Sequence, residues 1–256
     1  MSPKSTLRND ERIIKALNLV KDADSVELKL TVPENDQRSA IGALDMDVLD
    51  AELRQVIFFD TPDLKLDRSG VVVRARRIRK GGDTVIKLRP VVPDELPREL
   101  RRSGAFSIEV DAMPGAFVCS GSLKGKVDNS EVKQVLGGKR TVRKLFTSDQ
   151  RALYKDHAPK NVDLNALVPL GPINIARLKC SPRNFKGFLV GEMWFYPDGT
   201  RILELSTKCP PVEAFRVLIE TRAFLTNLKI DLTGEQQTKT RRALEYFSRL
   251  RGAKRL

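Results

Sequence analysis

The sequence predicts an α+β fold that is mainly antiparallel β and closes into a single barrel with surrounding helices. Nine short runs have the alternation or the β-branched composition of strands, and segments with apolar residues at helical spacing lie at both ends of the chain. The turn sequences Gly81-Gly82-Asp83 and Pro197-Asp198-Gly199 each join two neighbouring runs as a hairpin. Eight or nine strands with interspersed helices suit one closed barrel.

The elements follow from local patterns. The predicted strands are residues 26–32, 53–60, 70–79, 83–91, 106–112, 141–149, 173–180, 188–196 and 200–208. Apolar spacing of 3.6 residues predicts helices at 8–20, 130–136, 211–228 and 234–250.

The whole chain, residues 1–256, is predicted to be one domain with a core at about 22–247 and a basic C-terminal end. An alternative is a two-domain chain with a break near residues 120–130, in the sequence GSLKGKVDNS. This alternative leaves a poor half-sheet on each side of the break, so the single domain is preferred.

Composition limits the function classes. No run approaches the roughly 20 apolar residues of a membrane helix, and the N-terminus has no apolar secretory core, so we expect a cytoplasmic protein. Three separated cysteines and the single His157 exclude a disulfide framework and a multi-histidine metal site. Catalysis would therefore depend on carboxylates, lysine or a bound metal.

The formal net charge of +13 implies an anionic partner. Nucleic acid is one such partner, but aromatic residues make up only 6% of the chain and do not interleave with the basic runs. The direction in which the basic side chains point therefore decides what they bind.

Five predicted strands each combine an apolar face with a face that carries charges of both signs. The charged faces carry Glu27 and Lys29, Arg74 and Arg76, Lys87 and Arg89, Glu109 and Asp111, and Glu204, Ser206 and Lys208. On a single strand, such a face ordinarily points to water. Because helices are available to cover the apolar faces, the charged faces can instead line the inside of a barrel. Basic groups for phosphate and carboxylates for a cation then suit a metal–polyphosphate ligand.

The same segments resemble the CYTH domain, or triphosphate tunnel metalloenzyme, superfamily. The sequence FFDTPDLKL at 58–66, the Arg74-x-Arg76 pair and TVIK at 84–87 resemble the family's most specific run. Shorter matches occur in the family's order, at VELK 26–29, IEVD 108–111, LELSTK 203–208 and TKTRRAL 238–244.

This resemblance implies an eight-stranded tunnel that grips a triphosphate and binds Mg²⁺ or Mn²⁺. By residue-to-residue transfer, the implied phosphate ligands are Lys29, Arg74, Arg76, Lys87, Lys208, Lys239 and Arg242. Arg89 and Arg177 join them by their facing alone, and Glu192 is a further candidate interior acid. The implied metal ligands are Glu27, Glu109, Asp111 and Glu204, and either Lys29 or Glu27 would orient the attacking water as the catalytic group.

Two positions depart from the family pattern. Ser25 stands where the first glutamate of the opening motif belongs, and Ser206 stands where the second glutamate of the late motif belongs. Mg²⁺ often uses only one or two carboxylates together with substrate oxygens and water. One metal is therefore still expected, whereas a second metal is not supported.

The predicted function is metal-dependent hydrolysis of inorganic tripolyphosphate or of an organic or nucleoside triphosphate. One alternative is a binding protein without catalysis, which Ser25 and Ser206 motivate, and another is a class IV-type adenylyl cyclase. The expected partner is a small triphosphate or polyphosphate compound, with an RNA 5′ end ranked lower and no membrane. The sequence does not indicate an oligomeric state.

Overall fold

The computed structural model describes residues 14, 16–232 and 239–253 of the chain. Its strands are β1 (Ser25–Val32), β2 (Glu52–Asp60), β3 (Val71–Arg77), β4 (Gly82–Leu88), β5 (Phe106–Met113), β6 (Ala116–Val127), β7 (Val168–Cys180), β8 (Leu189–Phe195) and β9 (Arg201–Cys209). Its helices are α1 (residues 16–21), α2 (Gln37–Ala43), α3 (Lys65–Arg68), α4 (Arg98–Arg102), α5 (Asn129–Leu136), α6 (Ser148–His157), α7 (Ala214–Asn227) and α8 (Lys239–Ala253).

The strands close into one barrel in the order β1-β5-β6-β4-β3-β2-β7-β8-β9, and β9 pairs back with β1. Every neighbouring pair is antiparallel except β1 and β5, which run parallel. The predicted closed, mainly antiparallel barrel with helices is therefore confirmed, but the predicted number of eight strands is wrong, because the barrel has nine.

Strand β6 is the strand that the sequence pattern does not reveal, because glycines and serines interrupt its alternation. The ring of Phe106 occupies the space that a side chain at Gly121 would fill, 2.3 Å from the position of its missing Cβ. The amide of Gln150 lies 2.7 Å from the corresponding position at Gly125. Both glycines are thus required by neighbours that pack onto the strand, which pairs with β4 and β5 in the barrel.

Residues 141–149 were expected to form a strand, and this prediction is wrong. Val142–Leu145 form a 3-10 helix, and Ser148 begins α6. Thr147 and Gln150 form a reciprocal capping box at the start of α6, in which each side chain accepts a hydrogen bond from the other residue's backbone N–H. This helix-start signal outweighs the β-branched residues that precede it.

The apolar faces of the strands point outward and lie under the helices. The main core joins strand residues such as Leu28, Ile57 and Val73 to Leu153 of α6 and Leu225 of α7. In β1, buried residues alternate strictly with partly exposed ones, and the partly exposed ones include Glu27 and Lys29. The outward placement of the apolar face leaves the charged face inside the barrel.

A second, smaller core lies on the interior-facing side of β2, β7, β8 and β9. Phe58, Trp194 and Ile202 pack there against Leu244 and Phe247 of α8. Ser248 donates a hydrogen bond to the carbonyl of Pro62 at 2.7 Å, which holds the helix beside the end of β2. Helix α8 thus covers an apolar part of the barrel interior.

Two predicted helices are described only in part. The first residues of the helix predicted at 234–250, residues 234–238, lie outside the described residues, as does most of the helix predicted at 8–20. Among the described residues, no helix combines the length and the hydropathy needed to span a bilayer.

Candidate functional site

The barrel encloses a cavity of about 870 Å³ that is lined mainly by charged side chains. Its basic lining residues are Lys29, Arg54, Arg74, Arg76, Lys87, Arg89, Lys124, Arg177, Lys208, Lys239 and Arg241. Its acidic lining residues are Glu27, Asp67, Glu109, Asp111, Glu192 and Glu204. Eleven basic groups against six acidic ones leave an excess of positive charge in the cavity.

Of the residues predicted for the site, all but one line this cavity. The exception is Arg242, which donates a hydrogen bond to Oγ1 of Thr200 at 3.3 Å and lies 5.1 Å from the ring centre of Tyr196. Two serines depart from the family pattern. Ser206 is buried and lies opposite Lys29 on the neighbouring strand, and Ser25 lies opposite Glu109.

Strand register brings three of the predicted metal ligands together. Glu27 of β1 lies beside Asp111 of β5, and Glu109 is two residues before Asp111 on the same face. One carboxylate oxygen from each of the three lies within 4.8 Å of the other two. We refer to Glu27, Glu109 and Asp111 as the β1–β5 carboxylate cluster.

Cations surround the fully buried Asp111. The Nζ of Lys29 lies 2.6 Å from Oδ1, while Nη2 of Arg89 and Nζ of Lys87 lie 3.4 and 3.9 Å from Oδ2. Burial alone would raise the pKa of Asp111, but these three cations lower it below its usual range. Asp111 is therefore an anion in the folded protein.

The pKa values of the other members of the cluster shift in opposite directions. Burial and the neighbouring carboxylates raise the pKa of Glu27 above its usual range, although Lys29 lies 3.0 Å away. Burial would also raise the pKa of Glu109, but Lys29 and Lys208 lower it overall, and Lys208 contacts it at 2.5 Å. Despite burial, Asp111 and Glu27 hold the pKa of Lys29 above its usual range, so Lys29 is a permanent cation.

The donor set of this cluster fits a hard divalent cation. Neither carboxylate oxygen of Asp111 has a hydrogen-bond partner of suitable geometry among the described residues, although both are buried. Buried carboxylate oxygens ordinarily have such partners, and Mg²⁺ and Mn²⁺ prefer oxygen ligands. Glu27, Glu109 and Asp111 are therefore the residues that could hold one such ion.

Glu204 lies apart from this cluster. It pairs across β8 and β9 with Glu192, and we refer to these two residues as the β8–β9 acidic pair. The Nζ of Lys239, at the beginning of α8, lies 2.6 Å from Oε1 of Glu204 and 2.8 Å from Oε2 of Glu192. Burial would raise the pKa of Glu192, but Lys239 lowers it to about 2.

Several cavity cations have no such partner. Arg74, Lys124 and Arg177 form no ion pair within 4 Å in the described part of the chain. The Nε of Arg74 is buried and lacks a hydrogen-bond partner, and burial together with Arg76 lowers the pKa of Arg74. Arg76 itself is paired with Asp83, with its Nε 2.7 Å from Oδ2.

Lys87 is a buried lysine with a lowered pKa. Burial lowers its pKa to about 8, and Asp111 opposes this shift only in part. Lys87 is thus charged at neutral pH and loses its charge in mildly alkaline solution.

Sequence reasoning missed three basic residues of the cavity. Arg54 shares a strand with Phe58 and faces the same side, so the alternation of β2 could have revealed it. Lys124 lies on the unrecognised strand β6, two residues after Ser122, which also lines the cavity. Arg241 lies in the first turn of α8, and no local pattern places that turn at the cavity.

The chain has no match among protein-family models or curated protein sequences. Among solved structures, a candidate adenylate cyclase from Bacillus halodurans is similar with a TM-score of 0.59 and 14% identity, over 85% of this chain and 98% of that one. HpAC1 from Hippeastrum, a candidate adenylyl cyclase described as having a dominant triphosphatase activity, is similar with a TM-score of 0.56 and 18% identity, over 82% of this chain and 91% of that one. At these identities, the likeness establishes a shared fold.

Proposed function

We propose that the chain binds a triphosphate compound inside the barrel and hydrolyses it with one Mg²⁺ or Mn²⁺ ion. The observation that carries this proposal is the excess of cations in the cavity, among them the unpaired Arg74, beside three clustered carboxylates. An enclosed guanidinium without a counter-charge is costly, and a bound polyanion would remove that cost.

The phosphate chain would lie along the cations that have no close carboxylate partner. Arg74 and Arg177 can each present two parallel N–H donors to phosphate oxygens. Lys87 and Arg89 line the same cavity, and both also face Asp111. This arrangement favours a ligand with several adjacent phosphates over one with a single phosphate.

The β1–β5 carboxylate cluster would hold the divalent ion at the end of that chain of cations. When bound, such an ion neutralises phosphate charge and lowers the pKa of a coordinated water. Lys29 keeps its proton, so it can stabilise negative charge on the reacting phosphate but cannot accept a proton. Glu27 is the better candidate for accepting the proton of the attacking water, through the carboxylate oxygen that would not hold the ion.

A binding protein without catalysis is the second candidate. Ser206 provides no carboxylate beside Lys29, and Glu204 is already paired with Lys239. These two observations reduce the acidic groups that could activate water. The adenylyl cyclase alternative has in its favour the names of structurally similar proteins, which share only the fold.

The test measures phosphate release from tripolyphosphate and ATP with Mg²⁺ and Mn²⁺ separately, and with EDTA. We expect metal-dependent release that Arg74→Ala lowers by about 100-fold in kcat/KM, as loss of a charged contact to the transition state does. Arg79→Ala is the matched control, because Arg79 is exposed and does not line the cavity. Arg74→Ala should also keep or raise the melting temperature of the free protein, because it removes an uncompensated buried charge.

The two candidate functions give different results. Thermal stabilisation by tripolyphosphate without turnover would support the binding protein and overturn hydrolysis. If neither turnover nor stabilisation occurs at low salt, or if Arg79→Ala acts like Arg74→Ala, the proposed ligand site is wrong.

A further inference from the structure

The β8–β9 acidic pair places two carboxylates directly opposite each other on neighbouring strands. Glu192 and Glu204 are paired in register, and their side chains are 24% and 9% exposed. Like charges in this position repel each other, and burial strengthens the repulsion. The pair therefore requires a cation between its members.

Lys239 supplies this cation from within the chain. Its side chain is 11% exposed, and its ammonium contacts one oxygen of each glutamate at 2.6 and 2.8 Å. The ammonium also lies 5.0 Å from the ring centre of Trp194, whose Nε1–H donates to Oε2 of Glu192 at 3.3 Å. Carboxylate, aromatic and ammonium groups thus form one packed unit.

A metal ion between Glu192 and Glu204 would have to displace this ammonium. A magnesium ion binds carboxylate oxygens at about 2.0–2.1 Å and requires near-octahedral space around it. The ammonium of Lys239 already lies between the two oxygens that face each other. Among the described residues, no third carboxylate, histidine or cysteine joins Glu192 and Glu204 in a group whose ligand atoms lie within 4.8 Å of one another.

We propose that Lys239 is a resident cation that takes the place of a second divalent ion at the β8–β9 acidic pair, so that the barrel holds a single divalent ion. The count of one ion rests on the proposed function, which assigns that ion to the β1–β5 carboxylate cluster, but the role of Lys239 does not. Lys239 is then a positioning residue that fixes Glu192, Glu204 and the beginning of α8, whereas the family resemblance makes it a phosphate ligand.

The experiment counts bound Mn²⁺ by electron paramagnetic resonance on the full chain, with the metal alone and no substrate. The wild-type chain should bind one ion. Lys239→Met keeps the length of the side chain without its charge. It should bind two ions, because the carboxylate oxygens of Glu192 and Glu204 lose their ammonium partner and become available to a metal. Lys239→Arg keeps a cation and should bind one. Glu204→Gln should change the affinity for the first ion by less than twofold.

The outcomes separate this inference from the proposed function. If the wild-type chain binds no ion and Lys239→Met binds one, Lys239 blocks a metal site as inferred, and the metal site at the β1–β5 carboxylate cluster is wrong. Two ions in the wild-type chain, or the same count in wild type and Lys239→Met, would overturn the inference. Should Lys239→Met fail to fold, Glu204→Gln still decides, because a tenfold or greater loss of Mn²⁺ affinity would make Glu204 a ligand and contradict it.

Discussion

The barrel interior contains two groups of carboxylates that consist of the same residue types but differ in how they are compensated. In the β8–β9 acidic pair, one ammonium lies within 2.8 Å of both carboxylates, and a tryptophan N–H donates to one of them. In the β1–β5 carboxylate cluster, the ammonium of Lys29 lies 2.6 Å from Asp111 and 3.0 Å from Glu27, Lys208 contacts Glu109, and Lys87 and Arg89 also face Asp111. The first group has one cation for two carboxylates, whereas the second has four cations for three carboxylates. A surplus of cations around the carboxylates, more than the presence of ion pairs, therefore distinguishes the candidate binding site from a structural ion pair.

The largest expected effect is a difference in the free energy of unfolding when one carboxylate of each group is replaced by its amide. Asp111→Asn leaves Lys29, Lys87 and Arg89 without their shared counter-charge, so we expect a loss of about 3–5 kcal/mol in the free energy of unfolding. Glu192→Gln leaves Lys239 paired with Glu204, so we expect a loss of about 1–2 kcal/mol. Urea denaturation measures both values. Equal losses would show that the carboxylates of the two groups are compensated to the same extent by their cations.

A smaller effect concerns pH and is confined to the cations near the β1–β5 carboxylate cluster. Because burial lowers the pKa of Lys87 to about 8, this residue should lose its charge as the pH rises through 8, and tripolyphosphate measured in EDTA should bind more weakly. The unfolded chain holds this proton up to the ordinary value of 10.5, so the folded state should gain stability between pH 8 and 10.5.

Lys87→Arg is the matched control for this pH dependence. Arginine stays charged throughout the range, so both pH effects should disappear in this variant. Comparing the two proteins also cancels the titration of tripolyphosphate itself. Parallel pH curves for wild type and Lys87→Arg would assign the dependence to another group.

The smallest expected effect tests the β8–β9 acidic pair. Trp194→Phe removes the N–H donor to Glu192 and weakens the contact with the ammonium of Lys239, which should cost about 1 kcal/mol of stability. Mn²⁺ affinity should stay within twofold of wild type, because Trp194 does not contact the β1–β5 carboxylate cluster. Isothermal titration with Mn²⁺ measures this, and a large loss of affinity would show that the two groups act as one site.

Much of the interior could be predicted from the sequence because a strand has a fixed period of two. Glu27 with Lys29, and Arg74 with Arg76, share a face by parity alone, and the cavity contains all four. Parity does not show which face of a strand points inward. That direction follows from the helices that cover the apolar face. The assignment of Glu204 as a metal ligand stays a prediction from resemblance that the contact with Lys239 does not favour.

Other features depend on contacts between segments that are distant in sequence. The pairing of Lys239 with Glu204 depends on where α8 docks, and the parallel pairing of β1 with β5 depends on how the barrel closes. The strand β6 is not visible in the sequence pattern because Gly121 and Gly125 are required by side chains of other elements that pack against them. Local patterns contain no information about any of these contacts.

The pairing of β1 with β9 has a consequence for synthesis of the protein. Residues 25–32 emerge early from the ribosome but gain their second neighbour only when residues 201–209 follow. Until then, β1 and β8 are open sheet edges, and the charged interior face is exposed to water instead of enclosed. A nascent chain that ends before residue 201 therefore cannot form the cavity, and ligand binding would report that translation has passed the final strand.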